Sequence, residues 1–339
     1  MKRLTLEEIG QLAGVSRSTV SRVINDHPNI RPTVRQRVQQ VIHETGYQPN
    51  SAARSLASRQ SRILGLIMPS VLQSGFTDPY YPLVIQAISH ACNQNDHTVS
   101  LFLFQTKEEE EKISQRIIGS GLIDGLIITA DTIENPFVTK IQHHHIPFVQ
   151  IGRPLHTAST NISYIDVDNK AGAYLAASYL IQQGYRRIGQ LATVHNSAGV
   201  DRDAGFRQAL ADRGISVNEE LIKVAEFSET SACQAMGALL EQKPDAVFAQ
   251  SDAMALGAIR AIRERGLRVP EDIAIVGFDD LPLAASADPP LTTIRQPIYR
   301  TGILATETLL DIIKTSPQPA RHIILPVELV IRASTGTAN

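Results

Sequence analysis

Cysteine is almost missing from this chain of 339 residues: Cys92 and Cys233 are the only two. They are too few and too far apart for a disulfide framework or a thiolate metal site. No apolar run approaches the roughly 20 residues of a membrane span. The first residues are polar at once, without the apolar core of a signal peptide, so a cytoplasmic chain with no membrane partner is expected. Gly119-Ser120-Gly121 lacks the third glycine of a dinucleotide fingerprint, and no phosphate-loop lysine motif occurs. No nucleophile stands in a motif beside a base. His143, His144 and His145 are consecutive, and adjacent helical residues point about 100° apart, so they cannot converge on one ion. Catalysis, a cofactor and a metal site are therefore not expected.

What is present is unevenly spread. Residues 1–62 carry ten basic side chains and four acidic ones, a net +6, while the rest carries 22 basic and 30 acidic, a net −8. A small basic head on a larger acidic body is the footprint of a nucleic-acid-binding module joined to a domain that does not bind nucleic acid. About 150 residues per domain allows two or three domains, and 43% hydrophobic residues supply a large core.

The head centres on Thr5–Asn25. Thr5 with Glu8 three residues on forms a capping box and starts a helix with Ile9, Leu12 and Ala13 on one face. Gly14 offers the dihedrals of a sharp corner. Ser16 caps a second helix whose buried stripe is Val20, Val23 and Ile24. Its other face carries Arg17, Ser18, Thr19, Ser21, Arg22 and Asn25, groups that reach phosphates and base edges in a major groove. The unit reads as a helix-turn-helix with the second helix as reader, against the plain alternative of a helical hairpin with a solvated polar face. A third helix starts at Pro32 and buries Val34, Val38, Val41 and Ile42 before Gly46. From Tyr47 to Ser61, Asn50 can cap about two helical turns whose only large apolar residue is Leu56. Such a helix would order only against a partner and DNA, with Leu56 as a minor-groove wedge.

Beyond Arg62, short apolar runs alternate with amphipathic helices. The runs are Ile63–Met68, Thr98–Phe104, Gly125–Ile128, Phe148–Ile151, Arg187–Leu191, Leu221–Val224, Ala246–Ala249 and Ile273–Phe278. This predicts an α/β fold of parallel sheets covered on both faces. Eight units are too many for one compact sheet, and Gly152–Tyr164 divides them into two similar lobes. Ligands of such sheets sit beyond the carboxyl ends of the strands, here in a cleft between lobes. Lys107–Lys112, with four consecutive glutamates, reads as an exposed first helical turn.

Ala13–Asn25, Gly46–Asn50, Ala249–Ala258, Val276–Asp280 and Pro290–Gln296 together resemble the lactose-repressor/galactose-repressor family of bacterial transcription regulators, over essentially the whole chain. The resemblance implies a homodimer with two heads on a palindromic, double-stranded operator. It also implies a periplasmic-binding-protein-like core that senses a small molecule. The expected layout is a helix-turn-helix head at 1–46, a hinge helix and linker at 47–61, and a core at 62–339. Within the core, lobe 1 is about 62–160 plus 296–322 and lobe 2 about 163–292 plus 323–334.

By position, Arg17, Ser18 and Arg22 match the residues that choose bases, and Ser16, Thr19, Ser21 and Asn25 match phosphate and framework contacts. Thr5, Tyr47, Asn50 and Ala53 join the implied DNA contacts, with Leu56 as wedge and Arg54 as an extra base on the hinge. Arg31 departs from a serine that often caps the third helix. In the core, Tyr80 or Tyr81 and Phe227 match aromatics of the effector cleft, and Arg202 matches the arginine that binds effector hydroxyls or carboxylates. Asp279 and Gln296 match the polar floor, with Ser251, Asp252 and Arg153 beside it. Gly152 stands where aspartate is common. Together with Tyr164–Asn169, that departure looks like regulators of maltose-type or other glucoside genes.

A sugar effector that releases a repressor is the expectation; a co-repressor such as a sugar phosphate or nucleobase is the alternative. A secreted solute-binding protein would need a signal peptide and no basic head. A helix-turn-helix fused to a sugar kinase would need glycine-rich phosphate loops. No leucine heptads follow Ile323–Ile331, so a dimer is expected in preference to a tetramer.

Overall fold

The computed structural model of the chain describes residues 4–24, 27–47, 60–69, 79–104, 106–129, 136–155, 161–194, 196–315 and 319–336. The chain divides into two units, Met1–Ser61 and Arg62–Asn339.

The first unit is a three-helix head: α1 (Leu6–Ala13), α2 (Arg17–Ile24) and α3 (Pro32–Thr45). The capping box at Thr5 is closed in both directions, with Glu8 N donating to Thr5 Oγ1 at 3.2 Å and Thr5 N donating to Glu8 Oε2 at 2.7 Å. Gly14 takes the left-handed corner at φ 61°. Ser16 Oγ accepts from Thr19 N at 3.3 Å and so caps α2. Ile9, Ala13, Val20, Val23 and Val38 form the buried centre. Leu12 does not join it and is 59% exposed. Ile9 and Ala13, one helical turn apart, define the buried line, and the Leu12 side chain lies outside it. Arg31 makes no side-chain cap on α3, whose start is set by Pro32 instead. The expected hinge helix, with Asn50, Ala53, Arg54 and Leu56, lies outside the described residues, as does Asn25.

The second unit holds two six-stranded sheets. The first has the order β11-β5-β4-β3-β1-β2 and the second β12-β10-β9-β8-β6-β7. In the first sheet, β1 (Ile63–Pro69), β2 (Thr98–Phe104), β3 (Gly125–Thr129), β4 (Phe148–Ile151), β5 (Tyr164–Val167) and β11 (His322–Leu325) all run parallel. In the second, β6 (Ile188–Ala192), β7 (Ile222–Val224), β8 (Ala246–Ala249), β9 (Ala274–Asp279) and β10 (Thr292–Arg295) are parallel, and β12 (Glu328–Val330) pairs antiparallel with β10. The first sheet is covered by α4 (Tyr80–Gln94) and α12 (Ile298–Thr315) on one face and by α5 (Lys107–Ser120) and α6 (Pro136–His143) on the other. The second lies between α7 (Asn169–Gln182) with α8 (Ser197–Ala211) and α9 (Glu229–Leu240) with α10 (Asp252–Glu264); the short α11 (Pro282–Ser286) follows β9. Among the described residues, no helix is long and apolar enough to cross a membrane.

Two lobe boundaries move. Tyr164–Val167 pairs with β4, and Ile323–Leu325 pairs with Ile165–Val167, so both segments belong to the first lobe. The chain therefore crosses between lobes at 167–169, 295–298 and 325–328. Several helices also begin earlier than their apolar stripe. Thr106, Asn196, Ser228 and Ser251 each cap a polar first turn by accepting a backbone N–H three residues on.

Candidate functional site

The strands of both lobes end at one cleft, with an empty volume of about 740 Å³ including its open mouth. Tyr80 and Tyr81, in the first turn of α4, line it from the first lobe, with ring centroids 5.4 Å apart in an edge-to-face pair. Phe227, between β7 and α9, lines it from the second lobe.

Arg202 of α8 is the central cation. Its Nε donates to Asn169 Oδ1 at 2.8 Å and its Nη1 to the Gln250 carbonyl at 2.5 Å. The guanidinium carbon sits 3.6 Å from the Phe278 ring centroid and 5.8 Å from that of Phe227. Both are cation–π distances. Burial pushes the Arg202 pKa down and Asp279 opposes the shift; an arginine stays charged under either influence. Asp279 Oδ1 lies 3.9 Å from Arg202 Nη1 and accepts from Gln296 Nε2 at 2.5 Å.

Asp279 has φ 125° and Asp280 φ 56°. Two successive non-glycine residues at positive φ end β9 in a strained turn, a feature found mostly at ligand sites. Asp280 is held there by Arg295 Nε and Arg332 Nη2, each at 2.6 Å.

Tyr80, Tyr81, Arg202, Phe227, Ser251, Asp279 and Gln296 all line the cleft. Arg153 and Asp252 do not. Arg153 Nη2 is held by Asp201 Oδ1 and Oδ2 at 2.7 and 2.8 Å. Asp252 is fully buried, accepting from Leu281 N at 2.8 Å and from Thr293 Oγ1 at 2.5 Å. Both are consumed by protein partners. A Cβ on Gly277 would come within 2.4 Å of Asp252 Oδ1, so glycine makes room for this carboxylate. Asp252 thus braces the chain just after the strained turn.

Sequence reasoning missed Asp166, Asn169, Asn196 and Thr129, all of which line the cleft. Asp166 Oδ1 accepts from Val167 N at 2.8 Å and Asn169 Nδ2 at 3.0 Å, and its Oδ2 accepts from Arg153 N at 3.0 Å. Burial raises its pKa, against the pull of those backbone donors and Arg202. The available signal was position: Thr129 ends β3, and Asp166 and Asn169 flank the end of β5, where ligands of parallel sheets gather.

In the head, Ser16, Arg17, Ser18 and Arg22 are exposed, and Thr19 and Ser21 are half-buried. Ser16 Oγ lies 2.8 Å from Ser18 Oγ and 2.9 Å from Thr19 Oγ1, a row of hydroxyls along the start of α2. Arg17 makes a surface pair with Glu7 at 3.1 Å, a contact weak enough to yield to phosphate. Thr5 and Arg31 are exposed, and Tyr47 packs against the head core.

Residues 5–50 match the family described as bacterial regulatory proteins, lacI family, and residues 177–335 match a periplasmic binding protein-like domain. The transcriptional regulator CelR of Thermobifida fusca is 35% identical over 336 residues, covering 98% of each chain. The chain belongs to the lacI family of bacterial regulatory proteins. A CelR–cellobiose complex matches with TM-score 0.78 at 34% identity, covering 98% of this chain and 100% of that one. A lac repressor dimer bound to operator and the anti-inducer ONPF matches with TM-score 0.86 at 28% identity, covering 98% and 99%.

In this lacI-family core, Asp252 links the fold to pH. Its carboxyl is pushed up from 3.8 to about 7 by burial, opposed by its bonds to Thr293 and Leu281. Between those values the folded chain keeps a proton that the unfolded chain releases. This group's contribution to stability is therefore fullest at low pH and is lost as pH rises towards 7. Asparagine can still accept from Leu281 N and donate to Thr293 Oγ1. Asp252→Asn should therefore gain stability relative to the parent as pH rises from about 5 to about 7. Urea denaturation of both proteins across that range checks this; a constant difference would contradict it.

Proposed function

We propose that this chain is a cytoplasmic, dimeric transcriptional repressor whose core binds a neutral glucose disaccharide that releases it from a palindromic operator. The composition of the cleft carries the reading. Among its described lining residues Arg202 is the sole cation, and it faces two carboxylates, Asp166 and Asp279. An added phosphate would meet net negative charge there. A polyol instead offers donors to the carboxylates, acceptors to Arg202 and Asn169, and flat faces to the aromatic rings. The likeness to a CelR–cellobiose complex supports the same class of ligand, and the likeness to an operator-bound dimer supports the DNA partner.

Closure of the lobes around the sugar would turn the first lobes of the dimer relative to one another and so weaken the simultaneous docking of two heads on the operator. The effector's leverage is its preference for the closed state over the DNA-binding one, typically about 1–3 kcal/mol. The test is operator binding titrated with cellobiose, maltose, glucose 6-phosphate and adenine. Either disaccharide should weaken binding. Release only by the phosphate, or tightening by adenine, would overturn the reading. Sedimentation at micromolar concentration should give a dimer; a stable tetramer would contradict the expected assembly.

A further inference from the structure

We propose that Arg153 and Asp201 form a latch between the lobes that biases the ligand-free cleft towards closure and leaves the ligand to complete it. Arg153 follows β4 in the first lobe, and Asp201 stands on α8 in the second. Arg153 Nη2 is shared between both carboxylate oxygens of Asp201, at 2.7 and 2.8 Å. The two side chains are 33% and 26% exposed. This is the geometry of a charge-assisted pair, partly shielded from water.

The latch is anchored at both ends. Arg153 N donates to Asp166 Oδ2 at 3.0 Å, tying its backbone to the cleft floor. Asp201 directly precedes Arg202, which is fixed by Asn169 and the Gln250 carbonyl. A second contact between the lobes, Leu281 and Leu283 against the cluster containing Tyr80 and Tyr81, is apolar and insensitive to salt. The ion pair is the part that ionic strength weakens, and only in part: the screening length of about 10 Å in 0.1 M salt shortens to about 3 Å in 1 M, still no shorter than the contact. The pair shifts the lobes towards the closed state in the absence of ligand, and a ligand that needs closure gains apparent affinity by that shift.

The test uses the full-length, ligand-free protein and hydrogen exchange of the peptides spanning 148–155 and 196–203. Arg153→Glu should speed exchange in both peptides several-fold at low salt, and about 1 M salt should speed that of the parent by less. The reversed pair, Arg153→Glu with Asp201→Arg, should restore slow exchange, which a merely structural role for either residue would not produce. Unchanged exchange in Arg153→Glu, or failure of the reversed pair to restore it, overturns the latch. Far-ultraviolet circular dichroism confirms that each variant is folded. With cellobiose as probe, Arg153→Ala should bind about fivefold more weakly than the parent, the size of one partly exposed ion pair. This affinity arm rests on the sugar reading, whereas the exchange arm does not. If the parent fails to bind cellobiose, the sugar reading is wrong and the exchange result still decides the latch.

Discussion

Asp279→Asn is expected to keep the operator affinity of the parent and to lose release by disaccharide at concentrations that free the parent. Asparagine, like aspartate, tolerates positive φ better than most residues, so the strained turn at φ 125° survives the change. The amide can keep a bond with Gln296, and Asp252 still braces Leu281. What disappears is the charge facing the ligand. A hydrogen bond to a charged group contributes about 1.5–3 kcal/mol, so sugar affinity should fall about 10- to 150-fold. Anisotropy of a labelled operator, with and without cellobiose, reads both quantities. An undiminished response would remove Asp279 from the site. Arg202→Ala is a poorer probe. This arginine is buried between Phe278 and Phe227 and bonded to two lobe-2 elements. Its removal strips a buried network at about 3–5 kcal/mol and would lower the stability of the core together with ligand binding.

Operator affinity should collapse with salt. Each head carries +6 over residues 1–62, and each phosphate contact adds roughly −0.9 to the log–log slope. A dimer making about 6–10 such contacts loses about 10³- to 10⁵-fold in affinity between about 50 and about 200 mM salt. A fragment from Ile63 onward should not bind the operator. If it did, the DNA-reading role of the head would be refuted. Arg22→Ala should cost about 1–3 kcal/mol and relax base choice, while equal loss on every sequence would make Arg22 a phosphate contact.

The head was legible because its signals are local. A capping box spans four residues, and α2 shows its buried stripe within about two turns of Ser16. The cores of the sheets were legible as apolar runs. Four strands were not: β11 and β12 lie at sheet edges with partial burial and short runs, and β5 and β10 carry Asp166 and Thr292–Thr293 among their apolar residues. The first turns of α8 and α9 carry polar caps and small residues, which give periodicity no apolar stripe to show. Arg153 shows the deeper limit. Its residue type suits a ligand contact, but its partner lies 48 positions away, and only the fold reveals that the charge is taken.

The threefold passage of the chain between lobes has a consequence during synthesis. The first sheet gains its covering helix α12 and its edge strand β11 only after all of the second lobe but β12 and the segment beyond it has been made. Leu66, Ile127, Val149 and Ile165 must wait for Ala305, Leu309 and Leu310 to complete their cluster. At about 5–20 residues per second, the delay from β5 to α12 is on the order of ten seconds. Throughout that interval a half-covered parallel sheet hangs from the ribosome, while the head, whose three helices are finished within the first 47 residues, can already fold. A nascent chain of this kind is a natural client for a ribosome-bound chaperone that shields apolar surface until its late helix arrives.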